Sequence, residues 1–254
     1  MSHWLRAIAL LGCMNVAVSA AELDGELDWA GRVSLSVPLN GLVIQVNVRP
    51  GESVDADTLL VQFDTRIAQA HVAQARAAVG KAELARAEAQ REWDRAKELY
   101  DRTVLSQHEL QLAEIGFTNA EADYRAAQTA RVTSEVELEL HALKAPFAAR
   151  VLAVHVAPGQ AVVGTQQVQP LVTLAARDRL RVRAAVDAAQ AADLVPDAAV
   201  KVRVGERRFD ARIVAVMAEA PTADRAPPYA VEAEFTVPED GGLHAGQPAA
   251  LVLP

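Results

Sequence analysis

The chain has 254 residues, 51% of them apolar but only 4% aromatic, and carries a formal net charge of −8. That length allows one to three small domains, and the acidity, without a basic stripe, argues against nucleic acid as a partner. Alanine-rich stretches studded with Arg and Glu fit long thin helices better than one large core.

The N-terminus reads Met1-Ser2-His3-Trp4-Leu5-Arg6, then an apolar run from Ala7 to Val18, then Ser19-Ala20-Ala21-Glu22. A basic start, a short apolar run and small residues before a cleavage point are the layout of a secretory signal peptide, cut after Ala20 or Ala21. Losing Arg6 with the signal takes the net charge from −8 to −9. The expected product is exported and soluble, because no other stretch approaches the length of a spanning helix. Cys13 is the only cysteine, so a disulfide framework is excluded. Leu10-Leu11-Gly12-Cys13 loosely resembles a lipobox, which would make Cys13 a lipid anchor. The run stays apolar through Val16, Ala17 and Val18, which favours an ordinary signal instead.

After the signal come strand-like segments at Val33 to Val37, Gly41 to Val48 and Leu59 to Phe63. One motif then occurs twice. Val43, Val46, Val48, Pro50, Gly51 and Val54 align with Val151, Val154, Val156, Pro158, Gly159 and Val162 at a constant offset. Each copy is a β-branched strand, a Pro-Gly turn and a second strand, and two such halves suggest one interlocked β-domain. Asp64-Thr65 is the expected N-cap of the helix that follows.

Between the copies lie two heptad seams. Val72, Ala75, Val79, Ala82, Arg86, Ala89, Trp93, Ala96 and Tyr100 step by three and four, and after a break near Asp101 to Leu105 so do Leu110, Ala113, Phe117, Ala120, Tyr124, Ala127, Arg131, Ser134, Leu138 and His141. Folded back, Tyr100 faces Leu110, Trp93 faces Phe117, Arg86 faces Tyr124, Val79 faces Arg131 and Val72 faces Leu138. Arg86 and Arg131 are expected to pack their stems and direct their heads outward, Arg86 lying against the Tyr124 ring. About 36 residues per helix at ~1.5 Å each give a rod of roughly 55 Å. Lys144-Ala145-Pro146 is read as ending the second helix.

A third region from Asp178 shows strands at Leu180 to Val186, Val200 to Val204, Phe209 to Val216, Tyr229 to Val237 and Ala249 to Leu253, with a short helix at Asp187 to Leu194. Turn signals separate them at Gly205-Glu206, Pro221, Pro227-Pro228, Pro238 to Gly242 and Gly246. Several short strands with one helix suggest a small β-barrel. The domains are thus expected at 1–20 (signal), 21–64 (N-terminal segment and first β-half), 65–144 (hairpin), 145–175 (second β-half) and 176–254 (barrel). The fold class is mixed α+β and elongated.

A search for chemistry finds little. Zinc-protease and phosphate-loop motifs are missing, and the six histidines (His3, His71, His108, His141, His155, His244) are scattered. His71 and His141 could approach each other where the rod meets the β-domain. Met217 is the only methionine left after signal removal, which argues against a thioether relay for soft metals. No catalytic residue, cofactor or metal is expected. The turn of the hairpin stands out instead. Ser106 and Glu109 form a capping-box sequence, Leu99 can cover the tip, and Arg95 has Glu92, Asp94 and Glu98 within reach.

The split β-halves, coiled-coil insert, following barrel and secretory signal together resemble the periplasmic adaptor subunits, or membrane fusion proteins, of the HlyD family and of RND efflux pumps. The Val-x-x-Val-x-Val-x-Pro-Gly-x-x-Val repeats look like the halves of that family's lipoyl domain, and Arg95, Leu99 and Ser106 match the spacing of its hairpin-tip pattern. The resemblance implies a non-enzymatic adaptor in the periplasm, membrane-associated through its partners. Those are an inner-membrane transporter and a TolC-like outer-membrane channel. The adaptor would form a homo-oligomeric ring, with six copies as one candidate number. Its implied channel-binding tip is Arg95, Leu99, Arg102, Thr103 and Ser106.

The chain departs from the family in ending at Pro254 directly after the barrel, so a full membrane-proximal domain is expected to be missing or vestigial. RND, MacA-like ABC and type I secretion partners stay open. The single hairpin of roughly 80 residues favours the first two, and the low methionine count disfavours copper or silver as cargo. A lipoylated or biotinylated carrier would need a lysine in the turn between the halves. Only Lys81, Lys97, Lys144 and Lys201 exist, and Lys144, the nearest, reads as a partner of a helix C-terminus. A free coiled-coil scaffold would explain the rod but not the split β-domain.

Overall fold

The computed structural model describes residues 22–164, 168–218, 229–237 and 242–253. The segment expected to be a signal peptide, Cys13 in it, and the turn signals at Pro221, Pro227-Pro228 and Pro238 to Gly241 lie outside them. Two units divide the chain, one made by residues up to Ala30 and from Asp178 onward, the other by Gly31–Arg177.

The first unit is a closed antiparallel barrel. Its strands are β1 (Glu22–Trp29), β10 (Arg179–Val186), β11 (Ala199–Val204), β12 (Arg207–Ala218), β13 (Tyr229–Thr236) and β14 (Pro248–Val252), in the order β1-β10-β13-β12-β11-β14. Strict alternation puts Leu180, Val182, Ala184 and Val186 inside, together with Val200, Val202, Val204, Val231, Ala233, Phe235 and Leu251. Outside, Arg181 bridges Glu232 at 2.6 Å and Glu234 at 2.8 Å across β13. A short helix, α3 (Ala188–Asp193), starts at Asp187, whose carboxylate accepts the Gln190 amide in a capping box.

The assignment of 21–64 wholly outside the barrel is corrected here. β1 pairs with both β10 and β14 and closes the barrel. Leu23 and Leu27 project into its core. Only Leu23 and Leu27 are fully buried, with Trp29 packed against the core at the strand's end, amid Glu22, Asp24, Glu26 and Asp28, so the strand signal is faint in the sequence.

The second unit holds a β-sandwich and a helical hairpin. The first half of the sandwich is β2 (Val33–Leu35), β3 (Asn40–Val46), β4 (Ser53–Val54) and β5 (Leu59–Phe63); the second is β6 (Ala142–Lys144), β7 (Ala149–Val154), β8 (Ala161–Val163) and β9 (Val172–Ala176). The sheets run β2-β9-β7-β4 and β6-β5-β3-β8, so each takes two strands from each half.

The two halves repeat down to single hydrogen bonds. Gly51 donates to Val151 O at 2.7 Å, and its counterpart Gly159 donates to Val43 O at 2.8 Å. Arg49 N–H reaches the Glu52 carboxylate at 2.9 Å, as Ala157 N–H reaches the Gln160 side-chain oxygen at 3.1 Å. The register slips between Val43 and Gln45 and again between Val151 and Ala153. Both turns need a residue at positive φ, 90° at Gly51 and 85° at Gly159, which glycine adopts without a Cβ clash. The core between the sheets includes Val43, Leu60, Val61, Phe63, Val151, Leu171, Val172 and Leu174, all at most 1% exposed.

The hairpin leaves the sandwich after β5 and returns at β6, and these two strands pair with each other. Its helices are α1 (Arg66–Asp101) and α2 (Gln107–Glu139). At the start of α1, of the expected Asp64-Thr65 cap, Thr65 makes no side-chain bond. Asp64 instead accepts the Arg66 amide at 3.0 Å and pairs with the Arg66 guanidinium at 2.6 Å. Those bonds hold its carboxyl well below the usual range, at about 2. The far end is corrected as well. α2 stops at Glu139, and Lys144 lies on β6 opposite Leu59.

Candidate docking tip of the hairpin

The two seams meet. Trp93 stacks on Phe117 with centroids 5.0 Å apart and planes at 14°. The Arg86 guanidinium lies 4.9 Å from the Tyr124 ring. Every α2 seam residue from Leu110 to Leu138 is half-buried and none is fully buried. On α1, Ala68, Val72, Ala75 and Ala96 are buried. A two-helix seam is covered from one side only, which is why so few positions close completely. Charged groups stitch its margins: Arg76 and Arg131 share Glu135, at 3.0 and 3.5 Å, and Arg86 and Arg125 share Glu121, at 3.3 and 3.0 Å. The heads of Arg86 and Arg131 therefore end on carboxylates as well as in solvent.

This rod carries the turn at its end, and the local chemistry of the turn is explicit. α1 closes in a Schellman arrangement: Thr103 N–H donates to Tyr100 O at 2.8 Å and Val104 N–H to Leu99 O at 2.9 Å. Thr103 then occupies the left-handed position with φ of 60°. Glycine is the usual residue there, and a β-carbon in that conformation costs roughly 1–2 kcal/mol. Its hydroxyl donates to Arg102 O at 2.7 Å. α2 opens with a complete capping box. Glu109 N–H donates to Ser106 Oγ at 3.3 Å, and Ser106 N–H donates to the Glu109 carboxylate at 3.0 Å. The Ser106 hydroxyl, at 2.7 Å, and the Ser106 amide lower the Glu109 pKa.

The five residues singled out in the sequence gather at this end. Arg95 and Leu99 are four apart on the last two turns of α1 and share a face; Arg102 and Thr103 make the turn; Ser106 begins α2. Arg95 pairs with Glu92 at 2.8 Å, yet its side chain stays 63% exposed. Leu99 is half-buried, and Arg102, Thr103 and Ser106 are exposed. Sequence reasoning passed over Val104, which is 72% exposed beside them. Its signal was an apolar residue directly after Asp101, Arg102 and Thr103 in the turn.

Elsewhere, His71 and His141 line one cavity of about 460 Å³ at the hairpin root, with Leu39, Leu42, Ile67 and Leu140. His141 Nδ1 lies 2.8 Å from Glu137 O. Among the described residues, no group of three His, Cys, Asp or Glu could hold a metal ion, and no helix is long and apolar enough to cross a membrane.

A sandwich of interlocked halves that sends out a coiled-coil hairpin, in a chain that also forms a closed six-stranded barrel, has the fold of membrane fusion proteins. The membrane fusion protein Spr0693 from Streptococcus pneumoniae R6 superposes with a TM-score of 0.69 at 14% identity, over 92% of this chain and 99% of that one. A MacA–MexA chimera carrying the Pseudomonas aeruginosa MexA α-hairpin gives 0.66 at 18% identity, over 91% and 77%. In sequence, the multidrug resistance protein MdtA of Pectobacterium carotovorum is 26% identical over 127 residues. That stretch spans 50% of this chain and 31% of MdtA. No family model matches the chain.

Proposed function

We propose that this protein is a non-enzymatic periplasmic adaptor of a tripartite efflux pump, linking an inner-membrane transporter of RND type to a TolC-like outer-membrane channel. One observation carries the reading: a β-sandwich interrupted by a coiled-coil rod whose far end bears Arg95 and Leu99 on α1 and Ser106 at the start of α2. A rod rooted in two paired strands is a reaching device, and the residues at its end are the ones free to meet another protein. Copies associate in a ring so that several rods present their turns together, while the transporter supplies the energy. The domains follow as a signal peptide, lipoyl-like halves around the hairpin, and the barrel.

The substitution Arg95→Asp tests the tip. It reverses a 63% exposed charge and leaves the seam untouched. The expected outcome is loss of efflux, read as drug accumulation, with unchanged thermal unfolding; unchanged efflux would count against the tip. In-cell cross-linking and pull-down from membranes tests the partners. Recovery of a channel with a proton-driven transporter supports the reading, and an ATP-driven one reassigns the pump class. Recovery of neither, from cells expressing them, favours a free scaffold.

A further inference from the structure

Opposite the seam, α2 carries a second stripe that the hairpin itself leaves uncovered. It lies two residues beyond each seam position, about 200° around the helix, and so again advances by three and four. On α1 the same positions carry Lys81, Glu88, Arg91, Arg95, Glu98 and Arg102, an ordinary solvated face. On α2, from Leu112 to Leu140, they carry no charge, and every one is exposed. The threonines of the stripe, Thr129 and Thr133, already use their hydroxyls within the helix, donating to Arg125 O at 3.0 Å and to Thr129 O at 3.1 Å. Covering them therefore strands no donor.

The order along the stripe is symmetric about Ala126. Leu112 matches Leu140, Ile115 matches Val136, Asn119 matches Thr133 and Ala122 matches Thr129. Large apolar ends, polar residues inside them and small residues at the centre read the same in both directions. Parallel helices ask nothing of this order, because each residue then meets its own counterpart; antiparallel helices require it. We propose that α2 pairs with α2 of a second copy of this chain, antiparallel across a two-fold axis at Ala126, the same patch serving on both sides. The two turns of such a dimer point in opposite directions, so it is distinct from a ring that presents its turns together and does not depend on the adaptor reading. Alanine at the axis lets the two backbones approach closely, and Asn119 against Thr133 fixes the register. On the flanks Asp123 and Glu137 come opposite Ala130 and Gly116 of the second copy, so no acid meets an acid. Arg125 meets its equal beside the axis, and Glu121 of its own copy holds it at 3.0 Å. Leu140 also lines the root cavity with Leu39, Leu42 and Ile67. Leu112 of the second copy thus arrives at the mouth of that cavity and covers apolar groups that one chain leaves open.

The test uses the chain from Glu22 onward, which has no cysteine of its own. Sedimentation equilibrium is expected to show a monomer–dimer equilibrium. Ala126→Glu sets two carboxylates face to face at the axis and should weaken the dimer at least about a hundredfold, since like charges opposed in a contact are strongly disfavoured. Its helical ellipticity should not change, because the position is exposed. Ala77→Glu, on the matching stripe of α1, is expected to leave the dimer intact. Leu112→Cys and Leu140→Cys proteins, mixed and treated with a short bismaleimide, should cross-link to each other and not to themselves. A chain that stays monomeric up to its solubility limit overturns the proposal. So do cross-links of each cysteine variant with itself, which mark a parallel pair, and a dimer that Ala77→Glu dissolves as readily as Ala126→Glu. A ring of more than two copies that Ala126→Glu leaves intact overturns the dimer while supporting the adaptor reading.

Discussion

Within one unit of the chain, two regions solve the problem of stability in opposite ways. The sandwich encloses its side chains from both sides, so that Val43, Leu60, Val151, Leu171 and Leu174 reach 0% exposure. The hairpin has one seam, and α2 buries none of its residues fully. What the rod lacks in burial it recovers in specific pairs: a stacked ring pair, a guanidinium on a ring, and carboxylates shared between the helices. The difference teaches that a core tolerates almost no change, whereas a rod spreads its stability over many small contacts and leaves most of its surface for others.

The sharpest way to break that contrast is a cavity in the sandwich. Leu174→Ala should cost about 3 kcal/mol in urea unfolding, because a fully buried leucine leaves a void that rigid sheets close poorly. A loss under about 1 kcal/mol would mean the sandwich is no stiffer than the rod. In the hairpin, Trp93→Ala should cost about 1–2 kcal/mol, since the ring is only half-buried and stacks on Phe117. Helical ellipticity during thermal unfolding reads it out. Ser106→Ala, which removes the hydroxyl that receives the Glu109 amide, should cost about 1 kcal/mol by the same measurement. A neutral result would show that the far end of the rod frays independently of its seam.

The smallest effect is expected at the root. The Arg66 bonds lower the Asp64 carboxyl to about 2, below its value in an unfolded chain. A depressed carboxyl contributes stability above its unfolded pKa, near 3.9, and loses that contribution as pH falls through about 2. Stability should therefore decline slightly between about pH 4 and 2, and Asp64→Asn should flatten that decline. Arg66 is exposed and Asp64 only half-buried, so solvent screens the pair and the effect is minor. A carboxyl titration centred on the ordinary aspartate value would show that the Arg66 pair does not persist in solution.

How much of this was legible beforehand follows from periodicity. The α2 seam was read residue by residue because a coiled coil repeats every seven, and every seam residue from Leu110 to Leu138 is half-buried, flanked by Glu121, Gln128 and Glu135. The interlocked halves were legible because Val43, Gly51 and Val54 recur as Val151, Gly159 and Val162. β1 was missed because Leu23 and Leu27 are a short alternating signal, and because the strands that complete its pairing lie more than 150 residues on. At α1 the sequence offered the pair Asp64-Thr65 without choosing between two acceptors; Asp64 takes the Arg66 amide, and Thr65, with φ of −99° and ψ of −3°, makes no side-chain bond. At the tip, the capping box was visible as Ser-x-x-Glu, whereas the positive φ of Thr103 was not, because threonine is a residue that rarely adopts it.

β5 and β6 are neighbours in one sheet, and the hairpin is simply what joins them. Both ends of the insert are therefore fixed a strand's width apart, whatever length of coiled coil lies between. Adding or deleting one heptad from each helix in matched positions would change the reach by about 10 Å and leave every strand pairing of the sandwich as it stands. Reach is thus a dial that evolution or an engineer can turn independently of the domain that anchors it, provided the seam keeps its register.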